Sequence, residues 1–205
     1  MLATVHDEGP MERTTGDTRE DRLRHIVQAS PRLMHVLRTL RGLDLPDWRV
    51  VSGAIYQTVW NAVTEREPDH GIRDYDVGYF DASDLSYDAE DVVIRRVDAA
   101  LDPPLRERVQ VRNQARVHLW FEGKFGEPYA PLASTDDALS RFVCTAFAVG
   151  VRLEGDDSIS VAAPFGLEDL FALRLRRNPL RPRSTSWHRI VGGVQARWPE
   201  AVIVE

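Results

Sequence analysis

A chain of 205 residues with 43% hydrophobic and 28% charged side chains has the composition of an ordinary soluble globular protein, with room for one large domain or two small ones. A net charge of -6 argues against a nucleic acid partner held by bulk charge, while leaving open a local basic site. The single cysteine, Cys144, excludes an intrachain disulfide and a Cys-rich zinc site, and its apolar surroundings mark it as a buried, inert thiol.

Residues 1–17 show no periodicity and read as a mobile tail, leaving 18–205 as one domain. They lack the apolar core of a signal peptide, and no segment approaches the ~20 apolar residues of a membrane span, so a cytoplasmic protein with no membrane partner is expected. Thr18 is placed to cap a helix through Leu23, Ile26 and Val27 that ends at Pro31. Ser30-Pro31 then opens a second helix carrying Leu33, Met34, Leu37 and Leu40, with Gly42 at its stop. Val50-Val51 is a short strand, Ser52-Gly53-Ala54 a turn, and Ala54–Val63 a helix. The polar loop TEREPDHGIR is long enough to move. Tyr75–Phe80 is a strand.

Ser86 caps a helix that buries Val92 or Val93, Ile94, Val97 and Leu101 and ends at Pro103-Pro104. Val109–Val111 is a third strand. NQARVHLWFEGKFG fits a helix through Val117, Trp120, Phe121 and Phe125, or a continued strand; Asn113 as a cap favours the helix. Ser134 or Thr135 starts a short helix. Cys144–Leu153 reads as a buried strand, EGDD as a hairpin turn into Ser158–Ala162, and Gly166–Arg177 as a helix with Leu167, Leu170, Phe171 and Leu175 inward. The sum is an α/β (more strictly α+β) fold, a mixed sheet covered by helices with a helical N-terminal flank.

Three constellations carry chemistry. Asp74 and Asp76 are two apart, so on a strand their carboxylates share a face, where they repel unless a cation or a proton relieves them. Ser52-Gly53-Ala54, between strand and helix, offers backbone N–H groups and a helix dipole to a phosphate. Arg174–Arg189 holds six arginines and no acid, and is read either as cleft residues, Arg176 and Arg177 foremost, that contact phosphate or as a solvated helix end. Residues 65–102, with 12 Asp/Glu against 4 Arg, read mostly as solvated helix and loops. Asn113, Gln114, Arg116 and His118 either satisfy buried backbone groups or recognise a base, ribose or acceptor. Asp169 either favours the helix dipole or orients Asn178 or an arginine.

The order strand, small-residue turn, helix, then strand with Asp-x-Asp resembles the DNA polymerase beta-like nucleotidyltransferase superfamily. More narrowly, SGAIYQTVWN, DYDVGYFD, VRNQARVHLWFEGKFG and APFGLEDLFALRLRRNP resemble a bacterial family of nucleotidyltransferase-like proteins of uncharacterised function. The resemblance implies Mg²⁺- or Mn²⁺-dependent transfer of a nucleoside monophosphate from a nucleoside triphosphate to an unidentified small-molecule or protein acceptor. Ser52, Gly53 and Ala54, with Asn113, Arg176 and Arg177, would then hold the nucleotide, and Asp74 and Asp76 one or two metal ions. The chain departs from the superfamily pattern in three ways. Ala54 follows Gly53 where glycine or serine is usual, the interval to Asp74 is long, and Val109–Asn113 offers no third carboxylate, with Glu122 and Asp81 the remaining acids to consider. A non-catalytic nucleotide-binding or interaction module, and a metal-dependent phosphohydrolase, are the alternatives.

Overall fold

The computed structural model describes residues 18–181, 184 and 186–204. The expected tail 1–17 and Arg183 of the arginine run lie outside the described residues. Thr18 caps α1 (Arg19–Gln28) through a capping box: its Oγ1 accepts from Asp21 N–H at 3.1 Å and Asp21 accepts from Thr18 N–H at 3.2 Å. Pro31 opens α2 (Pro31–Leu43), where a missing N–H costs nothing. Gly42 falls inside this helix, and Asp44 in the left-handed conformation ends it (φ 48°). Leu23, Val27, Leu33, Leu37 and Leu40 are fully buried, each contributing about 1.5–3 kcal/mol of apolar transfer.

The chain continues through β1 (Arg49–Val51), α3 (Gly53–Val63), β2 (Tyr75–Tyr79), α4 (Tyr87–Ala100), α5 (Pro103–Arg106) and β3 (Val109–Asn113). A 3-10 turn (Gln114–Leu119), α6 (Phe121–Phe125) and α7 (Thr135–Leu139) follow, then β4 (Gly150–Leu153) and β5 (Ile159–Ala162). The C-terminal part holds α8 (Glu168–Phe171), β6 (Arg174–Arg176), α9 (Trp187–Gln195) and β7 (Val202–Val204). The five strands β1–β5 form a mixed sheet in the order β3-β2-β1-β4-β5, parallel between β2 and β3 and antiparallel elsewhere, so the chain has the α+β architecture expected of it. A separate parallel pair joins β6 to β7. Among the described residues no helix is long and apolar enough to cross a membrane.

Alternation assigns the faces of the sheet. Tyr75, Val77 and Tyr79 of β2 pair with Val109, Val111 and Asn113 of β3 on one buried face, against which α4 packs through Val97 and Leu101. Val93 and Ile94 are partly buried there, while Val92 is 57% exposed, which settles the register of α4. The opposite face carries Val51, Asp76, Gly78, Gln110, Arg112 and Gly150. Here α7 lies close to the strands because two glycines leave it room. A Cβ at Gly78 would meet Thr135 Cγ2 at 3.0 Å, and one at Gly150 would meet Leu139 Cδ1 at 3.2 Å.

Several expectations are corrected. Cys144–Val149 is buried but not a strand: Cys144 makes an isolated bridge to Arg177, Thr145–Phe147 is a 3-10 turn, and the strand is Gly150–Leu153. A continuous apolar run does not separate strand from buried turn. Gly166–Arg177 is not one helix. It makes a single turn, α8, then Leu173 turns left-handed (φ 50°) and Arg174–Arg176 becomes the strand that the C-terminal Val202–Val204 joins. Glu90, in the acidic block, is 3% exposed rather than solvated.

The loop between α3 and Asp74 is fastened, not free. Asn61, fully buried, donates to the carbonyls of Pro68 (3.0 Å) and His70 (2.9 Å) and accepts from Trp198 Nε1 (3.0 Å). Arg197 holds the Gly71 carbonyl at 2.9 Å, and Gly71 (φ 71°) presses so closely on the Trp198 ring that a Cβ would stand 2.7 Å away. This frame delivers Asp74 to the start of β2.

Candidate functional site

The turn between β1 and α3 is backbone-strained at Ser52, not at the glycine. Ser52 adopts φ 53° and ψ -105°, a region L-residues avoid, and its N–H donates to Val149 O at 2.8 Å, while Gly53 is already helical. Strain at a strand-to-helix turn costs of order 1–3 kcal/mol. Ser52→Gly is therefore expected to raise stability by about 1 kcal/mol, after the entropy cost of a second glycine in the unfolded chain, measured as a shift in the urea midpoint. A lower midpoint would mean that the serine side chain sets the local free energy.

Asp74 and Asp76 stand beside this turn. A Cβ at Gly53 would lie 3.6 Å from Gln57 Nε2 and 4.0 Å from Asp74 Oδ1. Asp76 pairs with Val51 on β1 and Gln110 on β3, half-buried on the sheet face that α7 overlies. Burial, and secondly the adjacent Asp74 carboxylate, push the Asp76 carboxyl up to about 6, against which Arg112 pulls it down. Gln57 is 6% exposed, and its Nε2 donates to Tyr56 Oη at 3.1 Å while its Oε1 is buried without a hydrogen-bond partner. An unpaired buried acceptor costs about 1–3 kcal/mol, so a bound donor there recovers it.

All these groups line one cavity of about 470 Å³, within the size range of small-molecule sites. Part of its wall is polar: Ser52, Gly53, Gln57, Asp74, Asp76 and Gln114. Another part is aromatic: Trp120, Phe121, Phe125 and Tyr129. Arginines reach it from four separate segments, at 112, 141, 181 and 189. Among the described residues lining it, the only acids are Asp74 and Asp76, and no cluster of three His, Cys, Asp or Glu is arranged around a common point. On β3 the residue opposite Asp76 is Gln110, and Arg112 stands opposite Gly78, so neutral and cationic groups hold the positions where a third acid would face the pair.

The other sequence candidates separate. Asn113 is 2% exposed and faces away from the cavity: its Oδ1 accepts from the N–H groups of Asp81 and Ala115, both at 3.1 Å, and its Nδ2 donates to Asp81 O at 2.8 Å. Arg116 is buried against Glu90, and His118 is half-buried outside the cavity, so of that cluster only Gln114 reaches it. Ala54 is fully buried behind the turn. Arg176 pairs with Asp169 at 2.9 Å, and Arg177 lies over the Trp187 ring at 4.5 Å and bridges Cys144; neither lines the cavity. Asp169 thus orients an arginine, Arg176, and also accepts from Thr145 Oγ1 at 2.7 Å. Asn178 instead fastens the loop at Ser140 and Phe142, at 2.6 Å each. Asp81 binds Ser83, and Glu122 is exposed outside the cavity. Burial raises the Cys144 thiol to about 11, which keeps it protonated.

Sequence reasoning missed Gln57, Arg112, Arg141 and the aromatic wall. Arg112 was open to the alternation argument, being two residues from Gln110 on a strand beside the aspartates. Trp120, Phe121 and Phe125 sit at helical spacing, a pattern that does not separate core packing from a cavity wall. Arg141, Arg181 and Arg189 converge only through tertiary structure.

Comparison with known proteins agrees with this geometry. A family model described as nucleotidyltransferase matches residues 38–203. A solved NMR structure, described as revealing a CCA-adding enzyme head domain, is similar over 93% of this chain and 98% of its own, with a TM-score of 0.70 and 23% identity, a likeness of fold. No curated protein matches. With four-fifths of its length inside the family model and the sheet, turn and aspartates arranged as described, the chain belongs to a nucleotidyltransferase family.

Proposed function

We propose that the chain transfers a nucleoside monophosphate from a nucleoside triphosphate to a hydroxyl or phosphate of an acceptor, with Asp74 and Asp76 holding Mg²⁺ or Mn²⁺. The observation that carries this reading is the pair of like carboxylates, one pushed up to about 6, beside the N-terminus of α3. Hard oxygen donors set side by side, with an orphaned acceptor on Gln57 nearby, fit a hydrated divalent cation whose bound waters donate hydrogen bonds. Asp74 and Asp76 would hold such a cation, which would supply positive charge to the transferring phosphoryl group and the leaving pyrophosphate. The chain's own contribution is position. The N–H groups at the start of α3 and the dipole behind them favour the triphosphate at Ser52-Gly53. Arg112 and Arg141 add fixed positive charge, and the apolar wall excludes water.

The test is a thermal-shift screen of the four nucleoside triphosphates with Mg²⁺ or Mn²⁺, paired with an assay for pyrophosphate release. A ligand that binds only the native state at a hundred times its Kd stabilises it by about 2.7 kcal/mol, several degrees for a chain of this size. No shift with any nucleotide and either metal would remove the reading. Gln110 and Arg112, in place of a third acid, favour a second reading: a nucleotide-binding module without turnover. It predicts the same shift and no pyrophosphate.

A further inference from the structure

We propose that the aromatic wall formed by Trp120, Phe121, Phe125 and Tyr129 is the seat of the nucleobase, and that it selects purines over pyrimidines by stacking. This deepens the nucleotidyl-transfer reading and rests on it. Four aromatic residues fall in the ten positions 120–129, yet no residue of α6 is buried. Trp120, Phe121 and Tyr129 are half-buried and Phe125 is 37% exposed. Rings meant only for packing would gain by going further in, since the stabilisation grows in proportion to the apolar area removed from water.

The rings instead hold one another at the cavity. Phe121 lies 4.3 Å from Tyr129 and 4.7 Å from Phe125, centroid to centroid, and Trp120 is 6.1 Å from Phe121. Lys124, the only lysine of the chain, stands over Trp120 (5.5 Å) and Phe125 (5.3 Å), and Arg181 over Phe121 (5.4 Å). Flat π surface flanked by cations suits a planar ring that carries an anionic tail.

The choice between nucleobase and acceptor follows from what each must share with the aspartates. A nucleotide held by its phosphates at Gly53 and its metal at Asp74 and Asp76 still has a base to place inside the same cavity. Of the aromatic residues lining it, Tyr56 and Phe147 belong to the core and Phe142 packs against it, and this wall is the more exposed part. The wall is also fixed relative to the phosphate end. It follows β3 through one short 3-10 turn, and that corner is locked by Asn113 and by the buried Glu90–Arg116 pair. Stacking scales with ring area, which gives purines the advantage.

The experiment compares the full chain with Phe125→Ala, Trp120→Leu and Phe125→Trp, titrated with Mg²⁺ and each of ATP, GTP, CTP, UTP and inorganic tripolyphosphate. Circular dichroism melts check that each variant folds; Phe125, at the rim, is the change the fold bears best. Expected is a loss of ATP and GTP affinity of roughly five- to a hundredfold in Phe125→Ala and Trp120→Leu, a smaller loss for CTP and UTP, and recovery in Phe125→Trp. Tripolyphosphate, which lacks the base, should bind all four proteins alike. Unchanged ATP affinity in both variants overturns the proposal, and if turnover alone falls the wall belongs to the acceptor. Equal loss of ATP and tripolyphosphate overturns it too, because the rings then only shape the cavity. A wild-type chain that binds neither ATP nor tripolyphosphate removes the nucleotidyl-transfer reading itself, and this one with it.

Discussion

Replacing Asp76 by asparagine is expected to abolish the metal-dependent rise in melting temperature and to cut turnover by at least about a hundredfold, while the metal-free protein melts at or above the wild type. Loss of a group that merely supports a metal ligand costs about 10–100-fold, and a ligand itself costs more. The stability half follows from the Asp76 carboxyl being raised from 3.8 to about 6 by burial and by Asp74. Between those values the native state holds a proton that the unfolded chain has released. Its contribution to stability is therefore fully present below pH 3.8 and is lost as pH rises through about 6, a change of up to about 3 kcal/mol in the metal-free protein. Asparagine removes both the charge and this pH dependence. Denaturant midpoints of wild type and variant from pH 4 to pH 8 in EDTA, repeated with Mg²⁺ and nucleotide, give the answer. A variant that melts well below wild type in EDTA and keeps its full metal-dependent shift would make Asp76 a scaffold residue and displace the metal from this pair.

The part of the site that the sequence reveals is the part that local periodicity controls. Asp76 lies on β2 and Asp74 immediately before it, two residues apart, and Ser52-Gly53 sits where a strand must turn into a helix, so both are legible in order along the chain. The starts of α1, α2 and α4 are legible in the same way, because Thr18 and Ser86 cap N–H groups within a few residues of themselves and Pro31 suits the first turn of α2. The interior of the arginine run could not be read locally. Arg176 is taken by Asp169, and Arg177 is laid over Trp187, while Arg181 and Arg189 reach the cavity. The difference is set by β6 pairing with β7, about 28 residues further on, a contact that no window centred on the arginines contains. The same pairing explains why Leu167, Leu170 and Phe171, at helical spacing, do not extend into one helix: the strand hydrogen bonds of Arg174–Arg176 outweigh a weak propensity.

Glu90→Ala is expected to destabilise the protein by about 3–5 kcal/mol, because it leaves a buried guanidinium without its counter-charge. The Glu90 and Arg116 side chains are 4% and 10% exposed and pair directly. Glu90 Oε1 also accepts from Asn113 N–H at 2.7 Å, and Arg116 Nε donates to Leu85 O at 2.8 Å. The pair therefore ties α4 and the loop before it to the end of β3, at the corner from which the cavity wall departs. Removing both charges should cost much less than removing one, since the desolvation of the second ion disappears with the first. Glu90→Met with Arg116→Met is expected to recover most of the loss from Glu90→Ala, read from urea midpoints of the wild type, both single variants and the pair. Near-additive losses would show that the ions act separately and that the corner is held by Asn113 alone. A coupled result makes a further demand on the site. With the corner loosened in Glu90→Ala, Gln114 and the aromatic rings lose their fixed distance from Asp76, so nucleotide affinity should fall while tripolyphosphate affinity, set at Gly53 and the aspartates, holds.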